Sequence, residues 1–274
     1  MGSLNHRYLI LLTSVLLTAC STLERKAAVP SSDLSKAQIA GQASSRYLIA
    51  TSAGINTFVA DVDAMNKKMN KQSQGGKSHY LSLSGGGDNG AFGAGLLVGW
   101  TENGTRPAFN LVTGISTGAL IAPFAYLGKE YDPVLKEVYT EIKPSDVFKA
   151  RSFLAGIFSD GLADTSPLLR LISKYINAEF LQKVAHEYNK NGRWLLIGTT
   201  NIDAGTPVIW NMGQIASIGT PESLELFRRI LLASASIPGA FPPVMFDFII
   251  DGKEFQEMHV DGGATTQVFL YPSA

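Results

Sequence analysis

The stretch Leu111-Val112-Thr113-Gly114-Ile115-Ser116-Thr117-Gly118 constrains this chain more than any other. An apolar run short enough for a buried strand ends there in Gly-x-Ser-x-Gly. A strand that turns this sharply into a helix holds its serine in a strained bend with the hydroxyl outward, and glycines two places before and after let the backbone fold back on itself. Ser116 is therefore the candidate nucleophile. A plain strand-to-helix turn would carry the same residues, so a nucleophilic serine needs partners elsewhere in the chain.

Upstream, His79-Tyr80-Leu81-Ser82-Leu83 reads as the first core strand. It runs into Ser84-Gly85-Gly86-Gly87-Asp88-Asn89-Gly90, after which Ala91 to Trp100 is helix-compatible. Consecutive glycines between a strand and a helix leave backbone N–H groups open to an anion, and the helix dipole adds to the attraction. Gly85-x-Gly87-x-x-Gly90 also fits a dinucleotide-binding loop. That fingerprint requires an acid about twenty residues on, at the end of the next strand. Here the next strand, Phe109 to Thr113, ends in the serine bend instead. An oxyanion hole built from Gly85, Gly86 and Gly87 accounts for both motifs, because neighbouring parallel strands would set the loop beside the serine.

A third motif lies near the end, His259-Val260-Asp261-Gly262-Gly263. Alone, Asp261 is a turn residue before two glycines; with the upstream motifs it is the candidate base. Glycine loop, Gly-x-Ser-x-Gly and Asp-Gly-Gly in this order resemble the patatin-like phospholipases, and Ala233-Ser234-Ala235-Ser236-Ile237-Pro238 matches that family's Ala-Ser-x-x-x-Pro helix end. The resemblance covers about residues 79 to 263. It implies a three-layer α/β/α fold with a mainly parallel central sheet, and a Ser116–Asp261 dyad that cleaves acyl esters of phospholipids or lysophospholipids without metal or cofactor. Gly90, Gly114, Gly118, Gly262 and Gly263 complete the motifs. Two departures stand out. Asn89 occupies a place where the family usually has Arg or Lys, and the family continues beyond Ala274, so a domain truncated at its C-terminal end is expected.

Two rival readings compete with the dyad. A Ser-His-Asp triad could use His259 with Asp247 or Asp251, which precede it; otherwise His259 reads as a partly exposed strand residue. His79 and His186 read as a strand-start and a helix-surface residue, without metal-ligand spacing. A lipid- or nucleotide-binding lipoprotein that has lost catalysis is the third reading, prompted by Asn89 and the short end.

The first residues carry an address. His6 and Arg7 precede the apolar run Tyr8 to Leu17, which is too short to span a bilayer and has the order of a secretory signal. Leu17-Thr18-Ala19-Cys20 resembles the lipobox of bacterial lipoproteins, which implies acylation (palmitate among the chains) of Cys20 as the first mature residue. Ser21, rather than the Asp associated with inner-membrane retention, implies an outer-membrane lipoprotein facing the periplasm. Residues 1–19 are thus a signal peptide and 20–78 a lipidated tether and N-terminal helical segment with a linker. Residues 79–274 are the hydrolase domain. The tether covers Ser21 to about Ser32. Phe58-Val59-x-x-Val62-x-x-Met65 predicts helix within 33–72, and Gln72 to Ser78 reads as the linker.

Lys plus Arg and Asp plus Glu both number 23, which provides no basic field for a nucleic-acid backbone. A single cysteine excludes an intrachain disulfide. Arg193 to Asp203 predicts a buried strand with Pro207 to Met212 beside it, and a hairpin turns at Asp251-Gly252. Phe153, Leu154, Ile157, Phe158 and Leu162 suit either a lid or membrane-contact loop or a buried helix edge.

Overall fold

The apolar run Trp194–Asn201 forms a strand buried along its whole length, and its alternating side chains define two layers of core. The computed structural model describes residues 25–39, 45–73, 77–141, 149–150 and 163–270. In chain order the strands are β1 (Gln38–Ile39), β2 (Arg46–Tyr47), β3 (Tyr80–Leu83), β4 (Leu111–Gly114), β5 (Lys149–Ala150), β6 (Ala163–Asp164), β7 (Trp194–Asn201), β8 (Thr206–Asn211), β9 (Val244–Ile250) and β10 (Lys253–Asp261). The α-helices are α1 (Ser52–Ser73), α2 (Gly90–Glu102), α3 (Thr117–Leu127), α4 (Asp132–Thr140), α5 (Ser166–Tyr175), α6 (Ala178–Asn191), α7 (Met212–Ile218) and α8 (Pro221–Ser234). Leu195 and Ile197 of β7 pack with Val112 of β4 against Ala122 of α3, Val184 of α6 and Phe227 of α8. Trp194 and Leu196 point the other way, where Phe58, Val62 and Met65 of α1 cover them at the expected helical spacing.

The sheet is mixed, which corrects the expectation of a mainly parallel one. Eight strands run in the order β1-β9-β10-β7-β4-β3, with β8 beside β7 and β2 beside β8. Among the described strands only β3–β4 and β4–β7 pair in parallel. The other partners of β7, namely β8 and β10, are antiparallel to it, as is β9 to β10. The connections decide this: a tight turn such as Asp251-Gly252, with φ of 49° and 78°, can only join antiparallel neighbours. β3, expected in the core, is an edge strand with Tyr80 exposed.

Register along β7 is what positions the site. β8 occupies one edge from Leu196 to Asn201. The opposite edge is divided: β4 pairs with Trp194–Ile197 and ends with Gly114 opposite Ile197, while β10 arrives from the other direction and ends with Asp261 opposite Thr199. Two strand ends therefore meet head to head, with only Gly198 between them.

Residues 25–32, read as part of a tether, lie against the sheet instead. Arg25 makes a two-pronged contact with Asp203 at 2.7 and 2.9 Å, Ala28 bridges Gln256, and Val29 is buried. β1 and β2 then add to the outer edges of β9 and β8, and α1 begins only at Ser52. Cys20, the signal-like run and the Phe153–Leu162 stretch fall outside the described residues.

His259 is buried rather than partly exposed. It belongs to a closed polar network: Arg46 clamps Glu257 at 2.5 and 3.1 Å, Glu257 Oε2 lies 3.0 Å from His259 Nε2, and His259 Nδ1 lies 2.9 Å from Thr199 Oγ1. Trp210 Nε1 donates to the same hydroxyl at 2.8 Å, so that hydroxyl donates to Nδ1 and Nε2–H donates to Glu257. Burial keeps His259 well below its ordinary range despite Glu257. Burial alone would raise the Glu257 carboxyl, but His259 and Arg46 outweigh it and hold the carboxyl low. The unfolded chain therefore takes up protons first on His259, below about pH 6.5, and on Glu257 below about pH 4.3. Folding stability should fall as pH drops through that range, by up to about 1.4 kcal/mol per pH unit for each group. Urea unfolding at pH 7 and pH 5.5 measures the loss, which His259→Gln should reduce. Arg46→Ala, which leaves the Glu257 charge buried and unpaired, should cost about 3–5 kcal/mol in the same assay at pH 7.

Candidate active site

Ser116 sits in the bend between β4 and α3 with φ 55° and ψ −127°, a left-handed conformation for a non-glycine residue. Such a backbone costs about 1–3 kcal/mol and persists only where its surroundings enforce it. Here they do. A Cβ on Gly114 would stand 2.6 Å from the Gly118 carbonyl oxygen, and one on Gly118 would strike the Leu83 carbonyl at the end of β3. Both glycines of the motif are thus required by close approach, and the bend is wedged against the strand that leads to the glycine loop. Gly90, the first residue of α2, packs in turn on the Thr117 side chain.

Asp261 ends β10 with 5% of its surface exposed, beside Ser116 at 7%. Its Oδ1 accepts from the Gly263 amide at 2.7 Å, its own amide donates to the Ser236 carbonyl at 2.8 Å, and the Ser116 hydroxyl interacts with its carboxylate. Burial raises the Asp261 carboxyl above its ordinary value, against the opposing effect of the Ser116 hydroxyl and the Gly263 amide. A Cβ on Gly262 would lie 2.6 Å from the Gly198 carbonyl oxygen, so the turn after Asp261 needs a glycine to close over β7.

The glycine loop faces the same bend. A Cβ on Gly85 would stand 3.2 Å from the Ser116 Cβ. Its amide is not an oxyanion donor, however: it donates to the Gln267 carbonyl at 2.9 Å, which corrects the expectation for that residue. Among the described residues none accepts from the amides of Gly86, Gly87 or Thr117, the last at the start of α3. Asn89 donates its amide to the Gly86 carbonyl at 3.1 Å and closes the short 3-10 turn Gly87–Asn89.

His259 is not placed for a triad. Both ring nitrogens are taken by Thr199 and Glu257, and Asp247 lies on the hairpin surface with Lys26 and Gln256.

A family model described as patatin-like phospholipase matches residues 81–271. The chain belongs to the patatin-like phospholipase family. Among solved structures, VipD from Legionella pneumophila is similar at 13% identity and a TM-score of 0.45, over 72% of this chain and 47% of that one. The chain therefore spans about half the length of VipD. No curated protein matches it.

Three residues of this patatin-like domain escaped the motif reading. Ser234 Oγ accepts from the Ser116 amide at 3.0 Å and donates to the Gly198 carbonyl at 2.7 Å, tying the serine bend to β7. Ser236 supplies the carbonyl that holds Asp261. Gln267 binds the glycine loop through its carbonyl, while its Nε2 donates to the Gly263 carbonyl at 3.2 Å. The Ala-Ser-x-x-x-Pro match was the one signal for the first two, and it says nothing of their contacts. Ser234→Ala should leave the Ser116 amide and the Gly198 carbonyl unsatisfied and lower stability by about 1–3 kcal/mol, readable by denaturant titration.

Proposed function

We propose that this protein hydrolyses acyl esters of lipids, of phospholipase A or lysophospholipase type, with Ser116 as nucleophile and Asp261 as general base. The head-to-head meeting of β4 and β10 over Gly198 carries this reading, because it brings a strained serine and a buried carboxylate together from opposite directions. A serine hydroxyl is a weak nucleophile without a base in reach. Asp261 takes the Ser116 proton as Oγ bonds to the ester carbonyl carbon. The amides of Gly86 and Gly87 stabilise the oxyanion, each well-placed donor contributing about 2.7–4 kcal/mol in such sites. Collapse breaks the ester C–O bond, the departing alcohol takes the proton from Asp261, and a water activated by the same carboxylate releases the acid.

Apolar side chains beside the site favour a lipid. Phe92 and Leu96 of α2 are 78% and 56% exposed, and Ile237, Val268 and Leu270 are exposed next to Ser236 and around Gln267. Cys20 is the proposed lipidation point, which would hold the domain at the periplasmic face of an outer membrane. Cys20→Ser should abolish incorporation of labelled palmitate in cells.

Ser116→Ala and Asp261→Asn should each lower ester hydrolysis by at least about 10³-fold, and only Ser116→Ala should remove the site of fluorophosphonate labelling. Since Asp261 must be ionised to act and burial raises it, the acid limb of kcat/KM should lie above the ordinary aspartate value of about 3.9. An acid limb at or below that value, or full activity in Asp261→Asn, would sink the dyad. Product analysis by mass spectrometry on defined phospholipids identifies which glycerol position is cleaved.

A further inference from the structure

An apolar groove begins one helical turn along α3 from Ser116. Leu120 and Phe124 of α3, Leu168, Leu171 and Tyr175 of α5 and Leu231 of α8 line it, around a cavity of about 40 Å³. Leu120 donates its amide to the Ser116 carbonyl at 3.3 Å, so its side chain starts about 6 Å along the helix, and Phe124 lies a further turn on. From the other wall, Leu231 stands one turn before Ser234, whose hydroxyl holds the Ser116 amide. The two helices that fix the nucleophile are therefore also the walls of the groove. Among the side chains that line it only Tyr175 carries a polar atom, and that hydroxyl accepts from Lys174 Nζ at 2.9 Å. Leu168 and Leu231 are buried, whereas Leu120, Leu171 and Tyr175 are partly exposed, so the groove is open along one flank.

We propose that this groove receives the acyl chain of the ester whose carbonyl Ser116 attacks, an inference that rests on Ser116 being the nucleophile. A carbonyl at the Ser116 hydroxyl and a chain laid between α3 and α8 leave the alcohol portion outside the groove. Each methylene taken into an apolar groove is worth about fourfold in kcat/KM, the equivalent of about 0.8 kcal/mol. A cavity this small fills early, so the rise ends at short or medium chains and longer ones gain nothing further.

The test is a series of p-nitrophenyl esters from acetate to palmitate with the full-length protein. Wild type should show kcat/KM rising with each added methylene and then levelling. Leu171→Trp, at a partly exposed position, should lower the octanoate-to-acetate ratio of kcat/KM at least tenfold. Leu168→Trp should do the same from the buried wall, and Tyr175→Ala should carry the rise to longer chains. A wild-type series that is flat, or a folded Leu171→Trp with an unchanged ratio, overturns the groove. Displacement of the fluorescent fatty acid cis-parinaric acid separates the two ideas. If Ser116 takes no fluorophosphonate and no ester is cleaved, yet wild type binds the fatty acid at least tenfold more tightly than Leu171→Trp, the nucleophile is wrong and the groove stands. Labelled Ser116 with neither chain-length dependence nor fatty-acid binding is the reverse result.

Discussion

One edge of β7 is shared by two strands running in opposite directions, and the rest of the molecule is arranged to keep them there. β4 and β10 cannot overlap, because each takes hydrogen bonds from its own half of that edge. Their ends are held apart by the single residue Gly198, whose carbonyl accepts from Ser234 and whose lack of a side chain leaves room for Ile115 and Phe269. The separation of the two chemical groups is thus set by backbone register, which shifts only in whole residues. A one-residue slip of β10 would also turn Asp261 to the other face of the sheet and take Glu257 and His259 away from Arg46 and Thr199.

That constraint explains why the polar network behind β10 is so completely satisfied. Glu257, His259 and Asp261 alternate along one strand and share a face. The first two find Arg46 and Thr199, while Asp261 is left to the site. Arg46 also donates to the carbonyls of Leu34 and Ala37 at 3.3 and 3.5 Å and lies 4.0 Å from the Phe248 ring centroid. The segment before the family-matched region is therefore wired into the strand that carries the candidate base, through a buried ion pair whose disruption is costly.

Local signals were legible where chemistry and backbone geometry coincide. Gly114, Gly118 and Gly262 stand where a Cβ would collide with backbone, and Asp251-Gly252 takes the turn its residues favour, so motif and fold say the same thing. Sheet direction was not legible from the parallel start β3–β4–β7, because beside the two local hairpins the antiparallel pairings β1–β9, β2–β8 and β7–β10 join segments far apart in the chain. Arg25 and Arg46 illustrate the same limit: in a polar stretch they look like solvated charges, and only Asp203 and Glu257, brought close by tertiary folding, make them structural. The Gly85 amide fails for a related reason, since its acceptor belongs to residue 267.

Phe269 is the far end of this arrangement. Its ring fills the space beside Ile115 and Gly198, and its carbonyl accepts from Ser82 and from Thr113, the latter across 156 residues of sequence. On the ribosome, the serine bend is therefore made long before the residues that close around it. Contacts of such long range form late and fold slowly. A partly synthesised chain holds Ser116 without its carboxylate and without the wall that Gln267 and Phe269 provide, so the site comes together only as β10 and the segment after it dock.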